Sequence, residues 1–113
     1  MTIVTIEVAT REESTARLLR AFNGESQGNF ISFPTIEALL KALTAKRLQV
    51  IRTMLGAGSL TIREVARRVN RDVKAVHGDI QSLLAVGVID KTEDGKVIFP
   101  YDALHMDFML KAA

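Results

Sequence analysis

The chain has 113 residues and a formal net charge of +2, with 48% hydrophobic and 25% charged residues, a composition typical of one globular domain that excludes disordered and collagen-like chains. It contains no cysteine, which excludes disulfide frameworks, thiolate metal sites and cysteine nucleophiles. No apolar run reaches the ~18 residues of a membrane-spanning helix, so we expect a cytoplasmic protein with no signal peptide and no membrane partner.

The first third of the chain predicts a strand, a helix and a second strand. Residues 2–8 are rich in β-branched side chains, and their apolar residues alternate at period two. Residues 11–23 space apolar side chains three and four apart and end at an Asn-Gly pair. A polar, turn-like stretch at 25–28 leads to a short strand at 30–33, which a proline ends.

The middle of the chain predicts four helices and a hairpin. From Thr35 the apolar spacing becomes helical. Thr44 as an N-cap, and a capping box formed by Thr61 with Glu64, mark two helix starts. Two short apolar runs on either side of an Asp-Gly turn indicate a β-hairpin. The predicted elements are helices at 36–43, 45–55, 62–69 and 73–86, and hairpin strands at 88–91 and 96–99.

The end of the chain alternates between apolar and polar residues. Leu104, Met106, Phe108 and Leu110 occupy every second position, which favours a strand over residues 104–110. This strand could pair with the N-terminal strand of the same chain or with a second copy of the chain.

Basic residues cluster in one segment. Residues 44–74 hold eight basic and two acidic side chains. The segment before it holds four basic and five acidic residues, and the segment after it three and six. A solvated helical surface would explain such a cluster in an arbitrary protein, so its meaning depends on where the segment lies in the fold.

The order helix, short helix, tight turn, longer helix and hairpin is typical of a winged helix-turn-helix. In that motif the second helix of the pair enters the major groove of DNA, and the hairpin contacts a neighbouring backbone. The basic segment covers the region that would meet phosphates. We therefore predict an α+β fold with a strand-helix-strand extension (1–33), a winged helix-turn-helix domain (34–100) and a C-terminal strand (101–113). The terminal strands and the N-terminal helix would form a small extra sheet or a dimerisation element.

Short motifs of one family recur in order along residues 30–100. They are Phe33-Pro34, Leu43-Thr44 with Arg47, Thr61 to Ala66, Asn70-Arg71-Asp72 with Val76-His77-Gly78-Asp79, and Leu83 with Gly87-Val88-Ile89. With them the chain resembles the MarR-like winged helix-turn-helix DNA-binding proteins of bacteria and archaea, and among these a small family first labelled from haloarchaea. The resemblance implies a DNA-binding regulator. Because some such proteins resemble antitoxins encoded beside a toxin gene, it also implies an autoregulating antitoxin.

The sequence departs from the family pattern at Gly78, where such proteins often carry a basic residue. Glycine inside a helix costs about 1 kcal/mol relative to alanine. Two interpretations stay open at this point: the glycine permits close approach of the helix backbone to DNA, or it indicates weak base readout.

The predicted second helix of the pair carries the leading candidates for DNA contact. Lys74 and Gln81 lie two turns apart on the face opposite its apolar stripe, and these side chains can pair with guanine or phosphate and with adenine. Arg71, at the start of that helix, suits a phosphate or base contact. Arg67 and Arg68 point about 100° apart, so one of them is expected to be plain surface. The full set of candidates is Arg47, Arg63, Arg67, Arg68, Arg71, Lys74, His77, Gln81, Ser82, Lys91 and Lys96.

Both histidines lie in a His-x-Asp pattern. On a helix His77 and Asp79 diverge by about 200° and cannot share a ligand, whereas on a strand His105 and Asp107 share a face and could form a hydrogen-bonded pair. Two ligands are too few for a metal site in one chain, and no nucleophile or phosphate-loop motif is present. We expect no metal, no cofactor and no enzymatic activity.

The sequence thus predicts a transcription regulator, a nucleoid-associated repressor that binds double-stranded DNA as a homodimer, with a cognate toxin as a candidate second partner. The acidic turn at Glu93-Asp94 and the glycine at 78 support an alternative. In this alternative the protein is a winged-helix interaction module that uses strands 2–8 and 104–110 as pairing edges. A small-molecule sensor is a third class, for which the sequence indicates no ligand site.

Overall fold

The structure is a computed structural model that describes residues 1–24 and 28–112. The turn predicted at 25–28 therefore lies outside the described residues, apart from Gly28. The described residues form an α+β domain with five helices and two small sheets, and every helix and strand predicted from the sequence is present. In chain order the elements are β1 (Ile3–Val8), α1 (Arg11–Phe22), β2 (Asn29–Phe33), α2 (Ile36–Ala42), α3 (Ala45–Met54), α4 (Ile62–Val69), α5 (Val73–Ala85), β3 (Asp90–Lys91), β4 (Val97–Ile98) and β5 (Ala103–Asp107).

The three longer strands form one parallel sheet in the order β2-β1-β5. β1 connects to β2 through α1, and Ile3 to Glu7 of β1 pair with Ala103 to Asp107 of β5. The two terminal strands thus pair with each other within one chain. Since β1 is the central strand, the expectation that residues 2–8 offer a free pairing edge is wrong. The edges of this sheet are β2 and β5.

β5 is shorter than the predicted strand at 104–110. Its ladder with β1 ends at the pair Glu7 and Asp107. Phe108 and Leu110 therefore lie beyond the ladder, and both are exposed. The predicted alternation holds for Leu104 and Met106, whose side chains are half-buried and pack against the core.

One hydrophobic core lies between the parallel sheet and helices α2 to α5. Val4 and Ile6 of β1 are fully buried in it, and each buried aliphatic side chain of this size contributes about 1.5–3 kcal/mol. Residues from the predicted extension, the predicted central domain and the C-terminal strand all join this core. Its largest fully buried members are Phe99, Ile6, Leu39, Ile51, Met54, Ile80, Leu83 and Ile89.

Threonine side chains begin α3 and α4 as predicted. The hydroxyls of Thr44 and Thr61 accept hydrogen bonds from the backbone N–H groups of Arg47 and Glu64, at 3.3 and 3.1 Å. The predicted capping box is only half formed, because the Glu64 carboxylate turns to two arginines of its own helix. α4 ends at Asn70, which takes the left-handed conformation with φ of 55° and so allows the sharp turn into α5.

The buried face of α3 differs from the predicted one. The sequence indicates Leu48, Ile51 and Leu55 as inward-facing, whereas the buried residues are Val50, Ile51 and Met54. Leu48 and Leu55 pack half-buried at the margins. The difference arises because α3 contacts both α4 and α5, so its buried face is wider than one stripe.

The helix predicted at 11–23 is present as α1, and none of its residues is buried. Leu18, Leu19 and Phe22 are 67%, 61% and 89% exposed. Arg17 of α1 contacts the sheet: its guanidinium pairs with the Glu7 carboxylate on the face of β1 that points away from the core. The apolar side of α1 therefore points into solvent.

The predicted hairpin is present as β3 and β4, with Asp90 opposite Ile98 and Lys91 opposite Val97. Leu60, just before α4, extends this small sheet by bridging to Val97 through two backbone hydrogen bonds of 2.9 and 2.8 Å. The hairpin is thereby fixed to the start of α4.

Candidate nucleic-acid interface

α5 presents one uninterrupted exposed stripe. The side chains of Val76, Ile80 and Leu83 are buried on the inner side of α5. The outer side carries exposed residues at positions i, i+4, i+7 and i+11. At 1.5 Å per residue, this outer stripe is roughly 16 Å long. We call it the α5 stripe; it consists of Lys74, Gly78, Gln81 and Ala85.

Gly78 lies at the middle of the α5 stripe with ordinary helical backbone. A Cβ added there would meet no atom of the described chain within 4 Å. Nothing inside the described part of the chain therefore requires glycine, which costs about 1 kcal/mol in a helix interior. Close approach of a partner to the helix backbone is one physical reason for a glycine at such a position.

Asp79 pairs with two arginines from different parts of the chain. Its Oδ1 accepts a hydrogen bond from Nε of Arg47 at 3.3 Å, and its Oδ2 lies 2.9 Å from Nη1 of Arg71. This second contact is an ion pair that is not aligned as a hydrogen bond. The three side chains are only 16–22% exposed. We call Arg47, Arg71 and Asp79 the Asp79 cluster; it connects α3, the α4–α5 turn and α5.

Arg47 makes further contacts that fix it in place. Its guanidinium donates to the backbone carbonyls of Lys41 and Ala42, each at 3.2 Å, and to the hydroxyl of Ser82, also at 3.2 Å. Three of the predicted DNA-binding residues, at 47, 71 and 82, are therefore engaged inside the protein. These contacts link α5 to the end of α2 and to α3. The sequence signal for this cluster is Asp79 itself, the one acidic residue of the helix predicted at 73–86.

Glu64 holds the two adjacent arginines of α4. Its carboxylate accepts hydrogen bonds from Nε of Arg67 at 3.0 Å and from Nε of Arg68 at 2.9 Å. These bonds, the one from Arg67 first, lower the pKa of Glu64 from its ordinary 4.5 to about 2. The positive charge of the pair is thus partly neutralised, although both arginines stay exposed enough to turn outward.

At the tip of the hairpin, the carboxylate of Asp94 offsets the charge of Lys96, one of the two lysines of the hairpin. Thr92 begins the turn, and its hydroxyl binds the Asp94 carboxylate, which lowers the pKa of that carboxyl. The ammonium of Lys96 lies 3.8 Å from Asp94. Gly95 takes the positive φ of 80° that closes the turn. Lys91 is exposed, and it makes no ion pair within the described residues.

The remaining predicted contact residues are exposed on α4 and α5. Lys74, Gln81 and His77 lie on or beside the α5 stripe, and Arg63 is exposed in the first turn of α4. Over residues 1–24 and 28–112, Arg63 and Lys74 form no ion pair. The arrangement offers exposed hydrogen-bond donors and acceptors, flanked by cations, on a helix held from behind by the Asp79 cluster.

Other kinds of site have less support. Within the described ranges no group of three or more His, Asp or Glu side chains could hold a metal ion. An open pocket of about 710 Å³ lies where β2, α2 and α5 meet. Its lining is mainly apolar, and its cations are Lys41 and the already engaged Arg47. No helix of the described chain has the length and apolar character needed to cross a membrane.

Comparison with known proteins gives one finding. The model of a family described as HVO_A0114 matches residues 42–106, from the end of α2 into β5. The match covers more than half of the 113 residues, and the family description names no activity. No curated protein and no solved structure matches the chain.

Proposed function

The chain belongs to the HVO_A0114 family, and we propose that it is a sequence-specific DNA-binding transcription regulator built on a winged helix-turn-helix. In this proposal α4 and α5 are the helix-turn-helix, α5 enters the major groove, and the β3–β4 hairpin is the wing. The order of the elements supports the assignment, as does the hydrogen-bonded link between the hairpin and the start of α4.

The observation that carries the proposal is Gly78 at the centre of the α5 stripe. A helix that lies deep in a groove benefits from a small residue at its closest point of approach, where a longer side chain would hold the backbone away. Lys74 and Gln81, one turn to either side, would then reach guanine or phosphate and adenine. The stripe thus combines a small centre with polar side chains that can read base edges.

The other charged groups take supporting roles in this proposal. The Asp79 cluster positions α5, Arg63 contacts phosphate, and Lys74 contacts phosphate or guanine. Arg67 and Arg68 are partly held by Glu64, so their contribution to binding is smaller than their exposure indicates. The wing contributes mainly through Lys91, because Asp94 offsets Lys96 and carries a charge that phosphates repel. Bound at its own promoter, such a protein acts as a repressor.

Fluorescence anisotropy with duplexes from the region upstream of the coding sequence tests the proposal. Gly78→Ala should raise the free energy of unfolding by about 0.5–1 kcal/mol, because the added Cβ meets open space. The same substitution should weaken specific DNA binding at least fivefold, because the methyl group then stands between helix and groove. Thr15→Ala, at an exposed site on α1, is the control that raises helix propensity away from the interface.

Three outcomes contradict the proposal. The first is absence of binding to any upstream duplex, and the second is binding with no dependence on salt. The third is a Gly78→Ala protein that is more stable and binds DNA as tightly as the parent chain. In that case the glycine is not a point of close approach, and the α5 stripe is ordinary surface.

A second candidate function is protein recognition, favoured by the exposed apolar side of α1. Leu18, Leu19 and Phe22 face solvent on a helix that the rest of the described chain does not cover. In an antitoxin this surface would hold the toxin while α5 holds DNA. Co-purification from native cells, compared between the parent chain and a Leu18→Glu/Phe22→Glu double variant, separates an antitoxin from a stand-alone repressor.

A further inference from the structure

β5 is a free edge of the parallel sheet. It pairs with β1 on one side, and no other strand of the described chain lies along its second side. Its residues include neither lysine nor proline, the residues with which natural sheets commonly block an exposed edge. Such an edge is a template for another strand.

The backbone groups that face this edge can be assigned. The N–H of Ala103 donates to the carbonyl of Thr2 at 3.2 Å. In a parallel ladder alternate residues direct both backbone polar groups to the same neighbour. The backbone groups at positions 103, 105 and 107 therefore face β1, and Leu104 and Met106 direct their N–H and C=O groups to the free edge.

Two copies of β5 can pair antiparallel about a twofold axis, and the charges distinguish the possible registers. In the register centred on Met106, Met106 of one copy lies opposite Met106 of the other. Because the backbone N–H and C=O of Met106 face the free edge, the two residues form a hydrogen-bonded pair. This register also places His105 of each copy opposite Asp107 of the other in non-hydrogen-bonded positions, where side chains approach most closely. A centre at His105 opposes two imidazoles, and a centre at Asp107 opposes two carboxylates. The Met106-centred register alone makes two imidazole–carboxylate pairs.

The surroundings of the two polar side chains agree with this register. His105 and Asp107 are both exposed, so they are available to a second copy. Glu7 is the neighbour of Asp107 on β1, and its carboxylate is already bound by Arg17 and Ser32. Glu7 therefore does not compete with the partner carboxylate for the imidazole.

The residues after β5 add apolar surface to the same interface. Phe108, Met109 and Leu110 are 38%, 72% and 79% exposed. The Met106-centred register lays Phe108 opposite Leu104 of the second copy, which would cover it. β2, the other edge, carries no charged side chain along Asn29–Phe33, so no register of two β2 strands makes such charge pairs.

We infer that β5 is the interface through which two copies of this chain associate, in the register centred on Met106. The two parallel sheets then join into one six-stranded sheet in the order β2-β1-β5-β5-β1-β2, and only the central pair is antiparallel. The interface is isologous, with the same strand contributed by each copy. This inference does not depend on DNA binding.

Sedimentation equilibrium of charge variants tests the register. His105→Glu places a carboxylate opposite each Asp107, and Asp107→Lys places an ammonium opposite each imidazole. Each single variant should raise the dimer dissociation constant at least tenfold, about 1.4 kcal/mol. An equimolar mixture of the two variants should dimerise, because one cross-strand pair then joins a carboxylate to an ammonium and the other keeps the imidazole–carboxylate pair. Glu12→Lys, at an exposed site on α1, is the control with the same charge change as Asp107→Lys.

A covalent readout locates the register independently. The chain has no cysteine, so a His105→Cys chain mixed with an Asp107→Cys chain can form only the disulfides that geometry allows. Non-hydrogen-bonded antiparallel pairs have Cα atoms about 4.5 Å apart, within the disulfide range. The mixed disulfide should therefore form faster than either homodisulfide.

Several results overturn the inference. If the wild-type chain is still monomeric at roughly 100 μM, its free energy of dimerisation is weaker than about −5.5 kcal/mol. Such a chain has no interface of this kind. A dimer that both charge variants leave unchanged uses another surface. Homodisulfides of His105→Cys that form faster than the mixed species indicate a different register. If circular dichroism shows a single variant unfolded, failure of the mixture to recover a folded dimer counts against the inference as well.

Discussion

Replacing Asp79 by asparagine tests the structural role of the Asp79 cluster. Asparagine keeps the volume of the side chain and removes its charge, so the effect on stability reports the ion pairs and leaves no cavity. The carboxylate lies 3.3 Å from Nε of Arg47 and 2.9 Å from Nη1 of Arg71. Its loss leaves two guanidinium groups side by side with nothing to separate their charges.

The expected magnitude follows from the burial of the cluster. Exposed ion pairs contribute about 0–1 kcal/mol, and breaking a fully buried pair costs about 3–5 kcal/mol. The three side chains are 16–22% exposed, which places them between these limits. We expect Asp79→Asn to lower the free energy of unfolding by about 2 kcal/mol and the melting temperature by about 10 °C.

Urea unfolding followed by circular dichroism measures the effect, with Asp90→Asn as the matched control. Asp90 is exposed and forms no ion pair over the described residues, so its amide variant should change stability by less than about 0.5 kcal/mol. A double-mutant cycle with Arg71→Gln should give a coupling of at least about 0.5 kcal/mol. The role assigned to the cluster is refuted if Asp79→Asn is no less stable than the control, or if the coupling is zero.

Three further predictions concern the candidate interface. Lys74→Ala should weaken DNA binding by about 1–3 kcal/mol if the side chain contacts a base and leave stability unchanged, because Lys74 is exposed; anisotropy and urea unfolding measure the two quantities. Glu64→Gln should release Arg67 and Arg68, tighten DNA binding and steepen the log–log salt dependence by up to about 2; an unchanged slope means that the arginines do not reach phosphate. The pKa of Glu64 is about 2, below its ordinary 4.5, so its carboxylate stabilises the fold above pH 4.5, and this contribution is lost as the pH falls through about 2. A side-chain NMR titration of Glu64 should place the midpoint there, and Arg67→Gln should raise it.

The elements of the fold could be predicted because their signals are local. The hydroxyl of Thr61 begins α4 by bonding an N–H three residues on, and Gly95 supplies the positive φ that closes the hairpin turn. Such features depend on neighbouring residues only, so they can be read directly from the order of residue types. The parallel pairing of β1 with β5 is not local, and the sequence left it open against pairing with a second copy.

The candidate site was predicted less well, because charge pairing depends on residues far apart in the chain. Arg47 and Asp79 are 32 positions apart, and no local pattern indicates that they meet. Arg47 and Arg71 are both paired with Asp79 inside the chain, and their contact with DNA stays a prediction. Spacing likewise cannot show whether the apolar side of a helix is covered. Leu18 and Leu19 have the period of a packed helix and lie exposed.

The ion pairs within the chain also connect the proposed DNA binding through α5 with the proposed dimerisation through β5. Residues 44–74 carry eight basic side chains, but Arg47 and Arg71 are held by Asp79, and Arg67 and Arg68 by Glu64. A single chain therefore has few cations left for phosphate, and its own affinity for DNA should be low. If association through β5 brings two α5 helices to one duplex, the second contact gains from the effective concentration set by the first.

Asp107→Lys separates this cooperative effect from simple electrostatics. The substitution adds positive charge, which on its own would strengthen binding to a polyanion. If dimerisation through β5 supplies much of the affinity, the variant should instead bind a duplex with two half-sites at least tenfold more weakly. It should bind a single half-site as well as the parent chain does. The control Glu12→Lys, which adds the same charge away from β5, should bind both duplexes at least as tightly as the parent. Equal strengthening by both substitutions would mean that each copy reads DNA alone.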